Sequence, residues 1–428
     1  MAGEWVTRKL ADCMEAIIDY RGKTPRKTKR GVPLITAKIV KGGRIHEPEE
    51  FIEPDEYDDW MSRGLPKEGD IVLTTEAPLG EIAQLGPQRI ALAQRLITLR
   101  GQQGILDNTF LKYLMLSAGV QEQLHAQATG TTVLGIKQKE LRKIFLSFPP
   151  YTEQRAIAHI LGSLDDKIEL NRRMNETLEA MARALYKSWF VDFDPVRAKS
   201  EGRDPGFPKH IAALFPDSFV YSKLGEIPKG WDAVPLPEAV DVNPYRALRK
   251  SDVAPYLDMA NMPTRGHSPD AVIERPFGSG MRFQNGDTLM ARITPCLENG
   301  KTAYVDFLEE GQVGWGSTEY IVLRSKPPLP EEFTYCLARS DGFREFAIQS
   351  MTGSSGRQRV PAESLKHYKL VLPKERIADE FGIIIKPLFA RASAAARESR
   401  TLAAIRDTLL PELISGKLRI KDAERFIN

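Results

Sequence analysis

Hydrophobic and polar positions change rhythm twice along the chain. Through about 150 residues, and again through 229–374, apolar residues come in short runs such as Ile71-Val72-Leu73-Thr74 and Tyr320-Ile321-Val322-Leu323, cut by Gly and Pro. Such runs between turn residues predict strands, with one or two helices following around 108–127 and 331–349. Each stretch then gives way to a long segment of helical period, 152–189 and 375–413. In the first, Ile157, Leu164, Asn171, Leu178 and Leu185 recur every seven residues, and Leu161, Ile168, Asn175, Ala182 and Trp189 form a second column. Adding 224 gives Phe381, Leu388, Ala395, Leu402, Leu409 and Ile385, Ala392, Ser399, Arg406, Leu413. One register kept in both copies predicts helices that pack along their length. Antiparallel pairing sets Asn171 and Asn175 against Ser399 and Ala395. About 38 residues at ~1.5 Å each give roughly 55–60 Å of helix. Pro387 and, at the equivalent place, Gly162-Ser163 predict a kink, and Pro411 a second one.

The repeat extends beyond the helices. Trp5 and Leu10 match Trp231 and Leu236; Gly69-Asp70 matches Gly286-Asp287; Thr129-Gly130-Thr131-Thr132 matches Thr352-Gly353-Ser354-Ser355; Phe148-Pro149 matches Leu372-Pro373. Matches kept in one order point to a duplication. The predicted fold is mixed α/β (α+β): two similar globular domains joined by two long antiparallel coiled-coil helices, a pseudo-twofold internal duplication. The divisions are 1–151, first domain; 152–194, first helix; 195–228, a linker rich in Pro and Gly; 229–374, second domain; 375–428, second helix and C-terminal tail.

Composition changes this picture little. Of 428 residues, 42% are hydrophobic and 27% charged, close to globular averages, which excludes collagen, low-complexity and disulfide scaffolds. Cys13, Cys296 and Cys336 form no CxxC and predict reduced thiols in a cytoplasmic protein. The start shows no basic segment followed by an apolar one, and no apolar run approaches the ~20 residues of a membrane span. Net charge is +3 from 60 basic and 57 acidic residues, so any nucleic-acid argument must rest on local clusters.

Catalytic patterns are missing. The six histidines are scattered, and there is no phosphate loop or dinucleotide fingerprint. Pro54-Asp55 and Pro269-Asp270 lack the nearby Asp/Glu-x-Lys of a nuclease. Phe148-Pro149-Pro150-Tyr151 looks like an adenine-methyltransferase motif, but phenylalanine cannot accept hydrogen bonds from the target amino group. Its prolines instead set the start of a helix capped by Thr152. No residue is assigned a catalytic or metal-binding role. What remains is local positive charge beside turns. Residues 21–30 carry Arg21, Lys23, Thr24, Arg26, Lys27, Lys29 and Arg30 with no acid, while eight of thirteen residues in 47–59 are acidic, which predicts one basic and one acidic face. The second half offers Arg246, Arg249 and Lys250, with Arg265 and Arg292 downstream. The loops with Thr129, Thr131 and Thr132, and with Thr352, Ser354, Ser355, Arg357 and Gln358, present hydroxyl, amide and guanidinium groups suited to phosphates and base edges.

At these residues the chain resembles the specificity (S) subunit of a type I restriction–modification system, over nearly its whole length. Tyr20-Arg21-Gly22-Lys23-Thr24-Pro25 is similar to the opening of many first target-recognition domains, and the segment from Tyr186 to Pro195 to the family's central region. Leu224-Gly225-Glu226-Ile227-Pro228-Lys229-Gly230-Trp231, the segment from Gly286 to Pro295 and that from Gly314 to Glu319 are typical of second domains, and the segment from Leu409 to Gly416 of the C-terminal helix end. The resemblance implies a non-catalytic subunit of a DNA methyltransferase/restriction complex. Each domain would read half of a bipartite asymmetric double-stranded DNA site, and the helices would set the unread spacer. It further implies two modification (M) subunits that bind S-adenosylmethionine and methylate adenine, and admits restriction (R) subunits using ATP with Mg2+. This chain itself would bind no cofactor. Leu185, Trp189, Phe190, Leu409, Leu413 and Ile414 are the expected contacts to partner subunits. The competing readings are a free-standing duplicated DNA-binding regulator and a coiled-coil scaffold that never touches DNA.

Overall fold

Successive strand residues face opposite ways, so a run that is apolar at every position needs cover on both sides. Ile71–Thr75 is such a run, buried throughout. Ile71 and Leu73 join one apolar cluster with the helices, while Val72 between them joins another. The structure, a computed structural model, describes residues 4–20, 24–354 and 356–420. Two units emerge, Met1–Ile168 with Thr401–Asn428 and Glu169–Arg400, and the division falls inside both long helices.

The first unit is built on a four-stranded antiparallel sheet in the order Met14–Asp19, Leu96–Gly101, Ile71–Thr75, Leu79–Gln84. One face is covered by helices Asn108–Leu116 and Ala118–Ala126, the other by a smaller sheet in which Val32–Ile35 runs parallel to Ala91–Leu92 and antiparallel to Phe51–Ile52. The strands Val6–Lys9 and Phe145–Phe148 pair to close the domain, and helix Tyr151–Phe190 follows.

The second unit repeats this order. Its main sheet runs Val240–Val242, Tyr320–Ser325, Thr288–Ala291, Thr302–Tyr304, and its helices are Glu331–Arg339 and Asp341–Gln349. Val253–Leu257 lies parallel to Gly314–Gly316 in the smaller sheet. Asp232–Pro235 pairs with Lys369–Leu372, and helix Glu375–Ile414 follows. The duplication read from a few matched residues is therefore a duplication of topology.

The matched Gly-Asp pairs explain themselves. Gly69 and Gly286 have φ of 85° and 86°, a conformation that favours glycine. Each following aspartate is fully buried and closes the turn by accepting from a backbone N–H at 2.8 Å, Lys67 N for Asp70 and Gln284 N for Asp287. Asp70 then binds Arg100 through two 2.7 Å contacts, and Asp287 binds Arg324 and Arg246, each at 2.9 Å. Arg100 and Arg324 hold the same position in the second strand of each main sheet.

Both long helices have 40 residues, and their assignment runs unbroken through Pro387 and Pro411. The first begins at Tyr151, so Thr152 lies inside the first turn rather than capping it. Buried Gln154 ties the helix start down instead, donating to Ile105 O and Pro149 O and accepting from Asp107 N. In the second unit Asn171 donates to Ala395 O at 3.4 Å and to Glu398 at 2.8 Å, and Trp189 meets Phe381 with ring centroids 5.9 Å apart. Partner numbers fall as first-helix numbers rise, so the helices are antiparallel there. Arg406, a charge on the expected seam, reaches Asp165 at 2.8 Å in the first unit. Lys112 and the Tyr113 hydroxyl bind the same carboxylate at 2.5 and 2.7 Å. Burial opposes the Asp165 charge, but Lys112, Arg406 and Tyr113 together hold its carboxyl below the usual range.

The linker expectation for 195–228 is corrected. That segment forms helices Asp194–Ser200 and Lys209–Ala212 and the hairpin Phe219–Ser222 with Gly225–Pro228. Val196, Ile211 and Phe215 belong to the second unit's core, where Trp189 packs edge-on against Phe215 at 4.9 Å and Phe207 at 5.5 Å. Counting Pro and Gly hid the aromatic residues spaced between them, which have enough apolar surface to anchor the segment.

Two stability tests follow from these buried charges. Asp287→Ala leaves Arg246 without a carboxylate and Arg324 with Glu331 alone, and breaking a buried pair costs roughly 3–5 kcal/mol; urea unfolding should show that loss, and a change under about 1 kcal/mol contradicts the assignment. Asp165→Asn should cost about 3 kcal/mol at neutral pH, the lower end because Arg406 is partly exposed. With the folded pKa depressed, the Asp165 contribution is present above the unfolded value of about 3.9 and fades as pH falls through the folded one. The gap between wild type and Asp165→Asn should therefore close on acidification below about pH 4, and a gap that persists there contradicts this source.

Candidate nucleic-acid interface

The basic segment of the first domain joins an edge strand of the main sheet, Met14–Asp19, to the first strand of the smaller sheet, Val32–Ile35. The second domain's basic segment makes the same connection, from Val240–Val242 to Val253–Leu257. Each is pinned alike: Thr28 and Phe51 exchange backbone hydrogen bonds at 2.8 and 3.2 Å, and Ser251 N donates to Phe277 O while Phe277 N donates to Asp252 O, both at 2.8 Å. Thr24, Arg26, Lys27, Lys29 and Arg30 are exposed, as are Arg249 and Lys250. Arg21 and Lys23 lie outside the described residues.

Two expectations for these segments are corrected. The acidic stretch 47–59 is not on a separate face. Pairing of Phe51–Ile52 with Val32–Ile35 folds it back beside the basic loop, where Glu50 binds Lys27 at 2.9 Å. Lys27 is thereby partly neutralised, and the exposed positive charge concentrates on Arg26, Lys29 and Arg30. Arg246 is the second correction: its side chain is 12% exposed and bound to buried Asp287, so it braces the sheet and cannot reach a ligand. Near the first loop, Tyr20 and Trp60 stack at 6.0 Å beside a cleft of about 490 Å³ that Thr24, Arg26, Asp59 and Arg63 also line.

The two Thr-Gly loops are equivalent hairpins. Thr129 and Gly135 exchange backbone hydrogen bonds at 2.8 and 3.0 Å, and Ile136 N donates to Thr75 O at 2.9 Å, which fixes the loop to the end of the central strand. Thr352 and Arg359 do the same at 2.9 Å, and Val360 N donates to Arg292 O. Gly130 and Gly353 take φ of 127° and 117°, and a Cβ on Gly130 would lie 2.1 Å from Val133 O. Thr129, Thr131, Thr132, Thr352, Ser354 and Arg357 are exposed and Gln358 is half-buried; Ser355 lies outside the described residues. Arg292 is half-buried at the turn beneath the second hairpin, while Arg359 binds Glu319 at 2.8 Å. Arg265 belongs to another neighbourhood, a turn whose Thr264 and Gly266 carbonyls accept from Arg339 at 2.6 Å.

The expected partner contacts are also corrected. Trp189 and Phe190 are 0% and 6% exposed within the second unit's core, and Leu185 packs against it. Leu409, Leu413 and Ile414 are 5%, 0% and 7% exposed in the first unit's core. A heptad stripe marks what a helix buries, and here it is buried in the chain itself. The exposed apolar positions on the helices are others: Leu170, Met181 and Ile383, at 59%, 53% and 64%. Sequence reasoning does not single out Val133 and Leu134, exposed at the tip of the first hairpin, or Arg275, which lies over Tyr256 at 4.9 Å.

Comparison with known proteins meets this arrangement directly. A family model described as the type I restriction modification DNA specificity domain matches residues 2–180. The type I restriction enzyme MjaIX specificity subunit of Methanocaldococcus jannaschii is 25% identical over 443 aligned residues, covering 98% of this chain and 94% of that protein. The HindI specificity subunit of Haemophilus influenzae is 25% identical, covering 72% of this chain and 77% of its own length. Among solved structures, an S subunit of a type I restriction–modification system from M. genitalium shares the fold with a TM-score of 0.54, at 17% identity and 96% coverage of both chains. The specificity-domain model spans the first domain and most of the first long helix, and the MjaIX relative aligns on through the copy that repeats both.

Proposed function

We propose that this chain is the DNA-recognition subunit of a type I restriction–modification complex, with its two domains, 1–151 and 229–374, each reading one half of a bipartite double-stranded site. The observation that carries this is the pair of loops, one basic and one a Thr-Gly hairpin, that both domains hold at the same places on the same topology while filling them with different side chains. Equivalent placement suits equivalent tasks, and different side chains suit different half-sites. Exposed Arg26, Lys29, Arg30, Arg249 and Lys250 supply phosphate contacts, and the hairpins approach the base edges. The chain is non-catalytic. Adenine methylation, with its S-adenosylmethionine, belongs to modification subunits, and ATP with Mg2+ to restriction subunits where they join.

Two modification subunits would dock along the helices, where the exposed apolar positions are Leu170, Met181 and Ile383 and not the buried Trp189 and Leu413. The long helices set the unread spacer between half-sites. The curated relatives give no support to a free-standing regulator.

Salt dependence tests the DNA reading. Affinity of the assembled complex should fall with log[salt] at a slope of about −0.9 per phosphate neutralised. Reversing Arg26, Lys29 and Arg30 to Glu should flatten that slope by up to about three such contacts and weaken all sequences alike, whereas Lys27→Glu should do less because Lys27 is already paired with Glu50. An unchanged slope in the triple variant removes this loop from the DNA.

A further inference from the structure

We infer that Val133 and Leu134 are the apolar reading residues of the first domain, and that they recognise the 5-methyl group of thymine in its half-site. This rests on the DNA-reading function proposed above. Scattered exposed aliphatic side chains are ordinary on protein surfaces, so the inference rests on where these two stand. Val133 and Leu134 are 51% and 49% exposed and occupy the tip of the first Thr-Gly hairpin. The tip is held closely: backbone pairs between Thr129 and Gly135 close its base, Ile136 N ties it to Thr75 O, and the turn at Gly130 leaves no room for a Cβ. Exposed Thr131 and Thr132 precede them. A tight, exposed hairpin with hydroxyls beside two aliphatic groups has the chemistry of a thymine contact, in which apolar groups meet the methyl and polar groups the neighbouring edges.

The second domain is the internal control. Its equivalent hairpin carries exposed Ser354 and Arg357, with half-buried Gln358, and no aliphatic side chain between Thr352 and Arg359. Its groups suit the acceptor and donor edges of purines. One partner protein docked identically on both domains would require similar tips. The divergence favours two different stretches of DNA as the occupants.

The test uses the chain assembled with its modification subunits, after the target site has been mapped. Each thymine of the half-site read by the first domain is replaced in turn by uracil, which removes only the methyl group. At one or more positions the wild-type complex should lose about fourfold in affinity, the worth of one buried methyl-sized group. Val133→Ser and Leu134→Ser, on exposed positions, should remove that sensitivity while leaving assembly and recognition of the second half-site intact. The inference is overturned if no uracil in this half-site matters, if the half-site contains no thymine, or if the variants remain as sensitive as wild type. It is equally overturned if the variants fail to assemble with the modification subunits, since the tip would then be a protein contact. A complex that binds no DNA sequence selectively is a separate result, and it would sink the proposed function itself.

Discussion

Neither domain completes its core from its own strands and short helices. In the first unit Leu409, Leu413 and Ile414 from the end of the second long helix are buried with Ile157, Leu161 and Leu164 from the start of the first, against Phe110, Leu114 and Leu146. In the second unit Trp189, Phe190, Phe381 and Ile385 do the same against Phe333 and Leu370. Buried aromatic and aliphatic side chains of this kind contribute roughly 1.5–3 kcal/mol each. Each domain is therefore bound to both helices by its core, and the loops it carries inherit a fixed place on them.

Charge sharpens what burial begins. Apolar contacts are non-directional, whereas Asp165 with Lys112, Tyr113 and Arg406 joins a domain helix to both long helices through directed hydrogen bonds. The second unit uses different residues to the same end. Glu179 of the first long helix accepts from Tyr335 at 2.9 Å, while Arg339 donates to the Tyr335 hydroxyl at 3.1 Å and stands 3.6 Å from Glu179. Asp306 takes Ser393 of the second long helix and His267 together. Duplication preserved the places of attachment and let the chemistry drift.

The sequence made the repeat legible because its strongest signals are structural necessities. Gly69-Asp70 and Gly286-Asp287 recur because a positive φ followed by a buried, arginine-bound carboxylate is hard to replace, and the heptad columns recur because both helices bury the same stripe. The same signals do not identify function. Trp189 and Leu413 stood out for being apolar and regularly spaced, which is the signature of burial and not of docking. Lys27 and Arg246 look like ligands in the sequence because a sequence does not show that Glu50 and Asp287 lie beside them. Val133 and Leu134 carry no sequence signal because exposure is a tertiary property, invisible in a pair of aliphatic letters beside a Thr-Gly turn.

If each domain reads its own half-site, the halves should be separable in function. The direct measurement exchanges residues 1–150 for those of a relative and maps methyladenine across the genome of a host carrying the chimera. The account requires a new sequence in one half-site, with the other half-site and the unread spacer unchanged. Alteration of both half-sites, or of neither, contradicts it.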